Sequence, residues 1–122
     1  MSRDEVVLLH IVAAARQAVA FLAGGDLGGF LQDEKTQSAV LHQLLVLGEA
    51  VKRLSEPFRA QNPDVPWRKV AGLRDVLIHE YDTVDVEEVW RTVSVDLPEI
   101  ILKLERLVPP ASPPHPATRS EG

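Results

Sequence analysis

The sequence has 122 residues, 45% hydrophobic and 25% charged, which predicts one compact domain with a tail and excludes a two-domain enzyme. It contains no cysteine, which excludes a disulfide scaffold, a thiol nucleophile and a cysteine zinc site, and fits a reducing cytoplasm. The net charge of −5 is unevenly spread: residues 52–74 hold six bases and two acids, whereas residues 75–105 hold nine acids and two bases. The acidic segment is interpreted as a solvated helix face. The basic segment is either a second solvated helix face or a phosphate-binding surface.

A first helix is predicted over residues 2–24. Ser2 followed by Glu5 is a capping-box pattern, apolar residues then recur at helical spacing, and Gly24-Gly25 is a natural stop. The early acids argue against a secretory signal, and no run approaches 18 uninterrupted apolar residues. We therefore expect a soluble cytoplasmic protein that does not enter a membrane.

Residues 24–32 are rich in glycine and predict a loop, after which Asp33 can cap a second helix. Its apolar face runs to Leu54, and Pro57 or the Asn62-Pro63 pair is expected to end it. Gly48 lies on this apolar face. A glycine there costs about 1 kcal/mol against alanine, so we expect the backbone of another helix, such as the fourth, to pack against it.

A third, shorter helix is predicted from Val65-Pro66-Trp67 to about His79, and a fourth from Asp85 to Leu107, kinked at Pro98. Trp67 and Trp90 are expected to pack in the core. Residues 109–122 hold five of the nine prolines and no apolar face, so they predict a disordered tail. The fold class is therefore all-α: a four- or five-helix up-and-down bundle over residues 1–108.

Most familiar catalytic and nucleotide-binding motifs are absent. His79-Glu80 does not extend to a zinc-binding HExxH motif, because residue 83 is threonine. His10 and His42 have no carboxylates at ligand spacing, so no metal site is predicted, and both are interpreted as packing or surface residues.

Arg74, His79 and the only tyrosine, Tyr81, lie together at the end of the third predicted helix. Arg74 and His79 are five residues apart, about 140° around an ideal helix, so they converge only if the helix frays or turns. A guanidinium beside an imidazole suits phosphodiester cleavage. The spacing is equally compatible with a structural role, in which Arg74 pairs with Glu80 or Asp82 and His79 caps the helix.

Several local motifs occur in one consistent order with Arg74, His79 and Tyr81. They are Ser38-Ala39-Val40, Leu47-Gly48-Glu49-Ala50, residues 63–67, residues 68–75 and Val84-Asp85. With these motifs, the span from about residue 4 to 107 resembles the HepT-like branch of the HEPN superfamily, the toxin half of HepT–MntA toxin–antitoxin pairs in bacteria and archaea. The family's Arg, four residues, His, one residue, Tyr signature corresponds to Arg74, His79 and Tyr81.

The resemblance implies a metal-independent endoribonuclease without a cofactor, in which two copies of the chain form one composite site. It implies that His79 is a general acid or base, that Arg74 binds the scissile phosphate and that Asp75 orients one of them. Arg53, Arg68 and Lys69 would attract RNA beside the cleft, and Glu80 could temper activity.

The resemblance also implies a regulator. An MntA-like minimal nucleotidyltransferase, the antitoxin, would transfer AMP to Tyr81 and so silence the enzyme. Two alternatives remain: a non-catalytic helical dimer that binds or is modified by such a nucleotidyltransferase, and a protein that binds nucleotides in its cleft without cutting RNA.

Overall fold

The computed structural model describes residues 2–78 and 83–109. His79 and Tyr81 lie outside the described residues, and so does the predicted disordered tail beyond Pro109. The described part is helical and has no strand, only a single isolated β-bridge, which confirms the all-α class. The helices are α1 (Arg3–Leu22), α2 (Leu27–Leu31), α3 (Glu34–Val51), α4 (Glu56–Gln61), α5 (Trp67–Ala71), α6 (Leu73–Leu77), α7 (Val86–Arg91) and, after a π-helical turn (Thr92–Asp96), α8 (Leu97–Glu105).

The two long helices, α1 and α3, form an antiparallel frame. The predicted capping box is present: Ser2 Oγ accepts the Glu5 amide at 3.1 Å, and Glu5 Oε1 accepts the Ser2 amide at 2.7 Å. Asp33 caps α3 by accepting the Thr36 amide at 3.0 Å. The Asp4 carboxylate accepts hydrogen bonds from the amide and hydroxyl of Ser55, which ties the start of α1 to the residues just after α3.

The core lies between this frame and α8. Its fully buried side chains come from α1, α3 and the segment from α5 to α8, so all of these elements share one hydrophobic cluster. Each buried leucine, isoleucine or valine contributes about 1.5–3 kcal/mol relative to an exposed one. The largest of these side chains are Leu8, Ile11, Leu44, Leu47, Leu77, Leu97, Leu104, Val40, Val51, Val70, Val89 and Val93.

α1 is also the one described helix that is long and apolar enough to cross a membrane by length and composition. Leu8, Ile11 and Ala15 of this helix are fully buried against the other helices. A core helix of a bundle passes the same test of length and composition.

Two predicted boundaries were wrong. The predicted loop over residues 24–32 contains the short helix α2, which Asp26 caps through the Gly29 amide at 2.8 Å and which buries Phe30. The second predicted helix ends at Val51 rather than at Pro57 or Asn62, and α4 follows as a separate helix capped by Ser55. Both short helices depend on side-chain caps and packing, which hydrophobic periodicity does not reveal.

The third predicted helix is broken at Gly72 into α5 and α6. The Gly72 amide still bonds to the Arg68 carbonyl, and the Asp75 amide bonds to the Gly72 carbonyl, so the chain bends around the glycine. The expected close approach at Gly48 is confirmed, but its partner is α5 and not the fourth predicted helix. A Cβ on Gly48 would lie 3.2 Å from the Val70 carbonyl oxygen.

The fourth predicted helix contains the π-helical turn just before Pro98. Proline clashes with the carbonyl four residues before it in an α-helix and has no amide to donate to it. In the turn, the Leu97 amide bonds to the Thr92 carbonyl five residues back. The expected distortion near Pro98 therefore takes the form of one π-helical turn.

Of the two tryptophans, Trp67 is buried as predicted and donates to the Asn62 carbonyl at 2.9 Å. Trp90 is only half-buried and packs on Phe30, with ring centroids 5.5 Å apart. The prediction that both tryptophans are core residues is therefore correct for Trp67 and incomplete for Trp90.

Candidate functional site

The first half of the Arg–His–Tyr motif lies on α6. Leu73 and Leu77, four residues apart on one helical face, are both buried in the core, and Asp75 between them is exposed. The backbone of Arg74 lies in the same helix. The Arg74 side chain, and all of His79 and Tyr81, lie outside the part of the chain that the structure describes.

The two ends of the segment that carries His79 and Tyr81 are held together. Ile78 and Val84 form the isolated antiparallel bridge, and the Asp85 amide donates to the Leu77 carbonyl at 2.9 Å. Asp85 then caps α7 by accepting the Glu88 amide at 3.1 Å, as predicted from the sequence. The residue that precedes His79 is thus paired with the chain that returns from the motif.

α5, which leads into α6, is held on two sides. Its inner side packs on α3 through the contact of Val70 with Gly48, and the buried Trp67 packs on Phe58 of α4. On its outer side, Lys69 Nζ lies 3.6 Å from Asp96 Oδ2 in the π-helical turn. The Asp96 side chain is only 17% exposed, and its Oδ2 accepts no hydrogen bond within the described residues.

Arg91 connects the same carboxylate to a second acid. Its Nη2 atom also lies 3.6 Å from Asp96 Oδ2, and its Nε donates to both carboxylate oxygens of Glu88, at 3.1 and 3.0 Å. These hydrogen bonds lower the pKa of Glu88 and raise that of Arg91, so both groups stay charged at neutral pH. We call Lys69, Glu88, Arg91 and Asp96 the α5–π ion cluster; its two positive and two negative charges balance.

The structure brings some of the predicted RNA-binding residues together and separates another. Arg68 and Lys69 are exposed neighbours on α5, directly before the helix that carries Arg74. Arg53 is exposed in the turn after α3, at the end of the frame where Ser55 contacts Asp4. Lys69 differs from Arg68 because the nearby Asp96 offsets its charge.

The sequence interpretation missed Arg91 and Asp96. Both belong to the acidic segment, and Asp96 is 27 residues from Lys69 along the chain, so no local pattern connects them. One sequence feature could have pointed to Arg91: it is one of only two bases among residues 75–105, where acids dominate.

Within residues 2–78 and 83–109, no group of three or more histidine, cysteine, aspartate or glutamate side chains could hold a metal ion. His10 and His42 are exposed on α1 and α3, which agrees with a surface role. The side chains of this region supply guanidinium, ammonium and carboxylate groups, and an imidazole follows Ile78 in the sequence.

Comparison with known proteins places this sequence in a family. The family described as "Ribonuclease HepT-like" matches residues 11–107. "Probable ribonuclease HepT" of Thermococcus cleftensis is 46% identical over 78 residues, which are 64% of this chain and 71% of that protein. A relative from Methanocaldococcus jannaschii with "RNase" in its name is 46% identical over 83% of this chain and 84% of its own length. Another, from Caldanaerobacter subterraneus, is 33% identical over 88% of this chain and 96% of its own length.

No solved structure gave a significant match. The family match covers every described element except the first turns of α1, and it includes α6 and the whole Arg–His–Tyr motif. The chain therefore belongs to the HepT-like ribonuclease family.

Proposed function

We propose that this ribonuclease is the toxin of a HepT–MntA type toxin–antitoxin pair and cleaves RNA without a metal ion at a site shared by two copies of the chain. The observation that carries the proposal is the order Arg74, His79, Tyr81 on and after α6 in a member of this family. Two further observations support the proposal: two buried leucines anchor α6, and the Ile78–Val84 bridge joins the residues that flank the His79 and Tyr81 segment.

In the proposed reaction, the Arg74 guanidinium binds the non-bridging oxygens of the scissile phosphate and stabilises the charge that develops on them. The His79 imidazole accepts the proton of the ribose 2′-OH, whose oxygen forms a bond to phosphorus. The bond from phosphorus to the 5′ oxygen breaks, and a protonated imidazole donates a proton to that oxygen. The products are a 2′,3′-cyclic phosphate and a 5′-OH, and Asp75 orients one of the two motif side chains.

One neutral imidazole as base and one protonated imidazole as acid would serve this reaction within a single turnover, and each chain has one histidine in the motif. Two symmetry-related copies supply two imidazoles and two guanidiniums, which is the reason for proposing a homodimer. We expect light scattering at micromolar concentration to give the mass of at least a dimer. A monomeric mass for a chain that cleaves RNA would contradict the shared site.

RNA attraction by an acidic protein requires a local basic surface. Arg68, exposed on α5 beside the motif helix, is the described side chain best placed to bind RNA phosphates, and Arg53 would extend the surface toward the end of α3. The charge of Lys69 is offset by Asp96, so we assign it the smallest contribution of the three.

Silencing is proposed to occur by AMPylation of Tyr81 by an MntA-like nucleotidyltransferase. The added phosphate would place negative charge two residues from His79 and compete with RNA for Arg74. Tyr81 is the only tyrosine in the sequence. If the wild type gains the mass of AMP and the Tyr81→Phe variant does not, the modified residue is Tyr81. Modification of Tyr81→Phe to the same extent would contradict this assignment.

Cleavage of a structured RNA in EDTA tests the proposed reaction. We expect the wild type, unmodified at Tyr81, to yield cyclic-phosphate ends and His79→Ala to lose about 10²-fold or more in rate, because positioned proton transfer is removed. His10→Ala is the matched control, since His10 is an exposed histidine on α1 outside the motif. Equal rates for His79→Ala and wild type would refute the assignment, and cleavage restored only by magnesium would refute metal independence.

A further inference from the structure

A second surface lies around Trp90, where α2 packs against α3 and α7. Three of the large apolar side chains that are exposed in the described chain lie here. Three cavities share Trp90 as a wall, with volumes of about 320, 480 and 260 Å³. We call this the Trp90 surface: Trp90 with the exposed Phe21, Leu27 and Val95.

The Trp90 ring at the centre of this surface packs on a buried aromatic side chain. Phe30, buried beneath α2, packs on the Trp90 ring at a centroid distance of 5.5 Å and an interplanar angle of 46°. Val95 lies in the π-helical turn and is 60% exposed. Single-turn π-helical insertions occur often at functional positions, because they present side chains that a regular helix would not.

The rim of the surface is acidic on both sides of Trp90. The cavity beside Phe21 is bordered by Asp26 and Asp33, and the cavity beside Val95 is bordered by Glu87 and Glu88. Hydrogen bonds from Thr36 lower the pKa of Asp33, and those from Arg91 lower the pKa of Glu88, so both acids stay ionised. Among the described residues that border these two cavities, Arg91 is the one base, and it is paired with Glu88.

We propose that the Trp90 surface binds a basic amphipathic helix of a second protein. A row of apolar side chains would enter the cavities around Trp90, and lysines or arginines on each side of that row would meet Asp26 and Asp33 on one flank and Glu87 on the other. RNA is excluded as the occupant because its phosphates would face these carboxylates. The proposal does not depend on RNA cleavage by Arg74 and His79.

Binding of a synthetic 18-residue Leu/Lys helical peptide to the full-length chain, measured by titration calorimetry, tests the proposal. We expect the wild type to bind it and Val95→Asn to bind about tenfold more weakly, because burial of an apolar side chain is lost. Leu102→Asn is the matched control: Leu102 is 59% exposed on α8, outside the surface, and its change should leave binding within about twofold.

The charge contribution is tested separately. Glu87→Lys should weaken binding of the Leu/Lys peptide by about tenfold at low salt, and Glu99→Lys, an exposed reversal on α8, should have a smaller effect. A Leu/Glu peptide of the same length should bind the wild type at least tenfold more weakly than the Leu/Lys peptide. Circular dichroism of each variant checks that the fold is retained.

Four results would overturn the proposal. They are no binding of the Leu/Lys peptide by the wild type, equal binding of the Leu/Glu peptide, equal effects of the Val95 and Leu102 changes, and equal effects of the Glu87 and Glu99 changes. Dissociation of a wild-type dimer by Val95→Asn would assign the surface to a second copy of this chain instead. Binding seen only after truncation at Val108 would assign it to the chain's own C-terminal segment.

Discussion

The frame of α1 and α3 and the motif-bearing pair of α5 and α6 are stabilised in different ways. α1 and α3 are 20 and 18 residues long, carry their own side-chain caps and pack along their whole length. α5 and α6 have five residues each, far below the length at which an isolated helix is stable. α5 and α6 are therefore held by contacts with the rest of the bundle and not by their own helical stability, and changes in the two regions should have different consequences.

The largest expected effects come from truncating one leucine in each region. Leu44 on α3 and Leu77 on α6 are both fully buried. Leu44→Ala should lower the free energy of unfolding by about 2–5 kcal/mol, because it leaves a cavity in the frame. Leu77→Ala should lower the free energy of unfolding by less, because we expect the truncated α6 to open locally while the frame stays folded; hydrogen exchange in residues 73–78 should rise sharply. Equal losses and unchanged exchange in α6 would contradict this contrast.

Gly48 is the point where the two regions touch most closely. Gly48→Val should destabilise the protein by about 1–3 kcal/mol and lower the rate of RNA cleavage, because the side chain would push the Val70 carbonyl away from α3. Ser38→Val is the matched control, an exposed position on the same helix that carries the same cost of a β-branched residue. Equal effects of the two changes in urea unfolding would show that the close contact has no special role.

The α5–π ion cluster holds α5 from its other side. We expect a double-mutant cycle of Lys69→Met and Asp96→Asn to give a coupling free energy below about 1 kcal/mol, because Lys69 is 55% exposed and its contact with Asp96 is long. The coupling should fall as salt is added. Strictly additive effects of the two changes in urea unfolding would show that this ion pair does not hold α5.

Acid should weaken the frame at its capped ends. Hydrogen bonds from Ser55 lower the pKa of Asp4 below its usual 3.8, and those from Thr36 do the same for Asp33. Their stabilising effect is complete above the unfolded pKa and is lost as pH falls through the lower folded pKa. Urea midpoints should therefore drop below about pH 4, and Asp4→Asn should show a shallower drop. An unchanged slope in Asp4→Asn would contradict the role of this contact.

The smallest effect is expected outside both regions. Truncation after Val108 removes the proline-rich residues 109–122, which have no apolar face to bury. We expect the melting temperature and the rate of RNA cleavage to stay unchanged. A melting temperature lowered by several degrees would show that the tail packs on the bundle.

Sequence reasoning succeeded where the determinants are local. The caps at Ser2, Asp33 and Asp85 were readable because each lies three residues from the amide it accepts. α2, α4 and the break at Gly72 were missed, because five- and six-residue helices exist through packing that periodicity does not show. For the site, the motif at Arg74, His79 and Tyr81 was visible in the sequence, whereas the Lys69–Asp96 contact exists only in the folded chain.

The central claim is that two copies of the motif form one nuclease site, and mixing subunits tests it most directly. Wild-type and His79→Ala chains are mixed in equal amounts, allowed to exchange, and assayed for RNA cleavage in EDTA at constant total protein. If each site needs both histidines, only dimers of two wild-type chains are active, and the rate falls to about one quarter of that of pure wild type. A rate of about one half after complete exchange would mean that a mixed dimer keeps half of the activity with one histidine, and would contradict a site that needs both histidines.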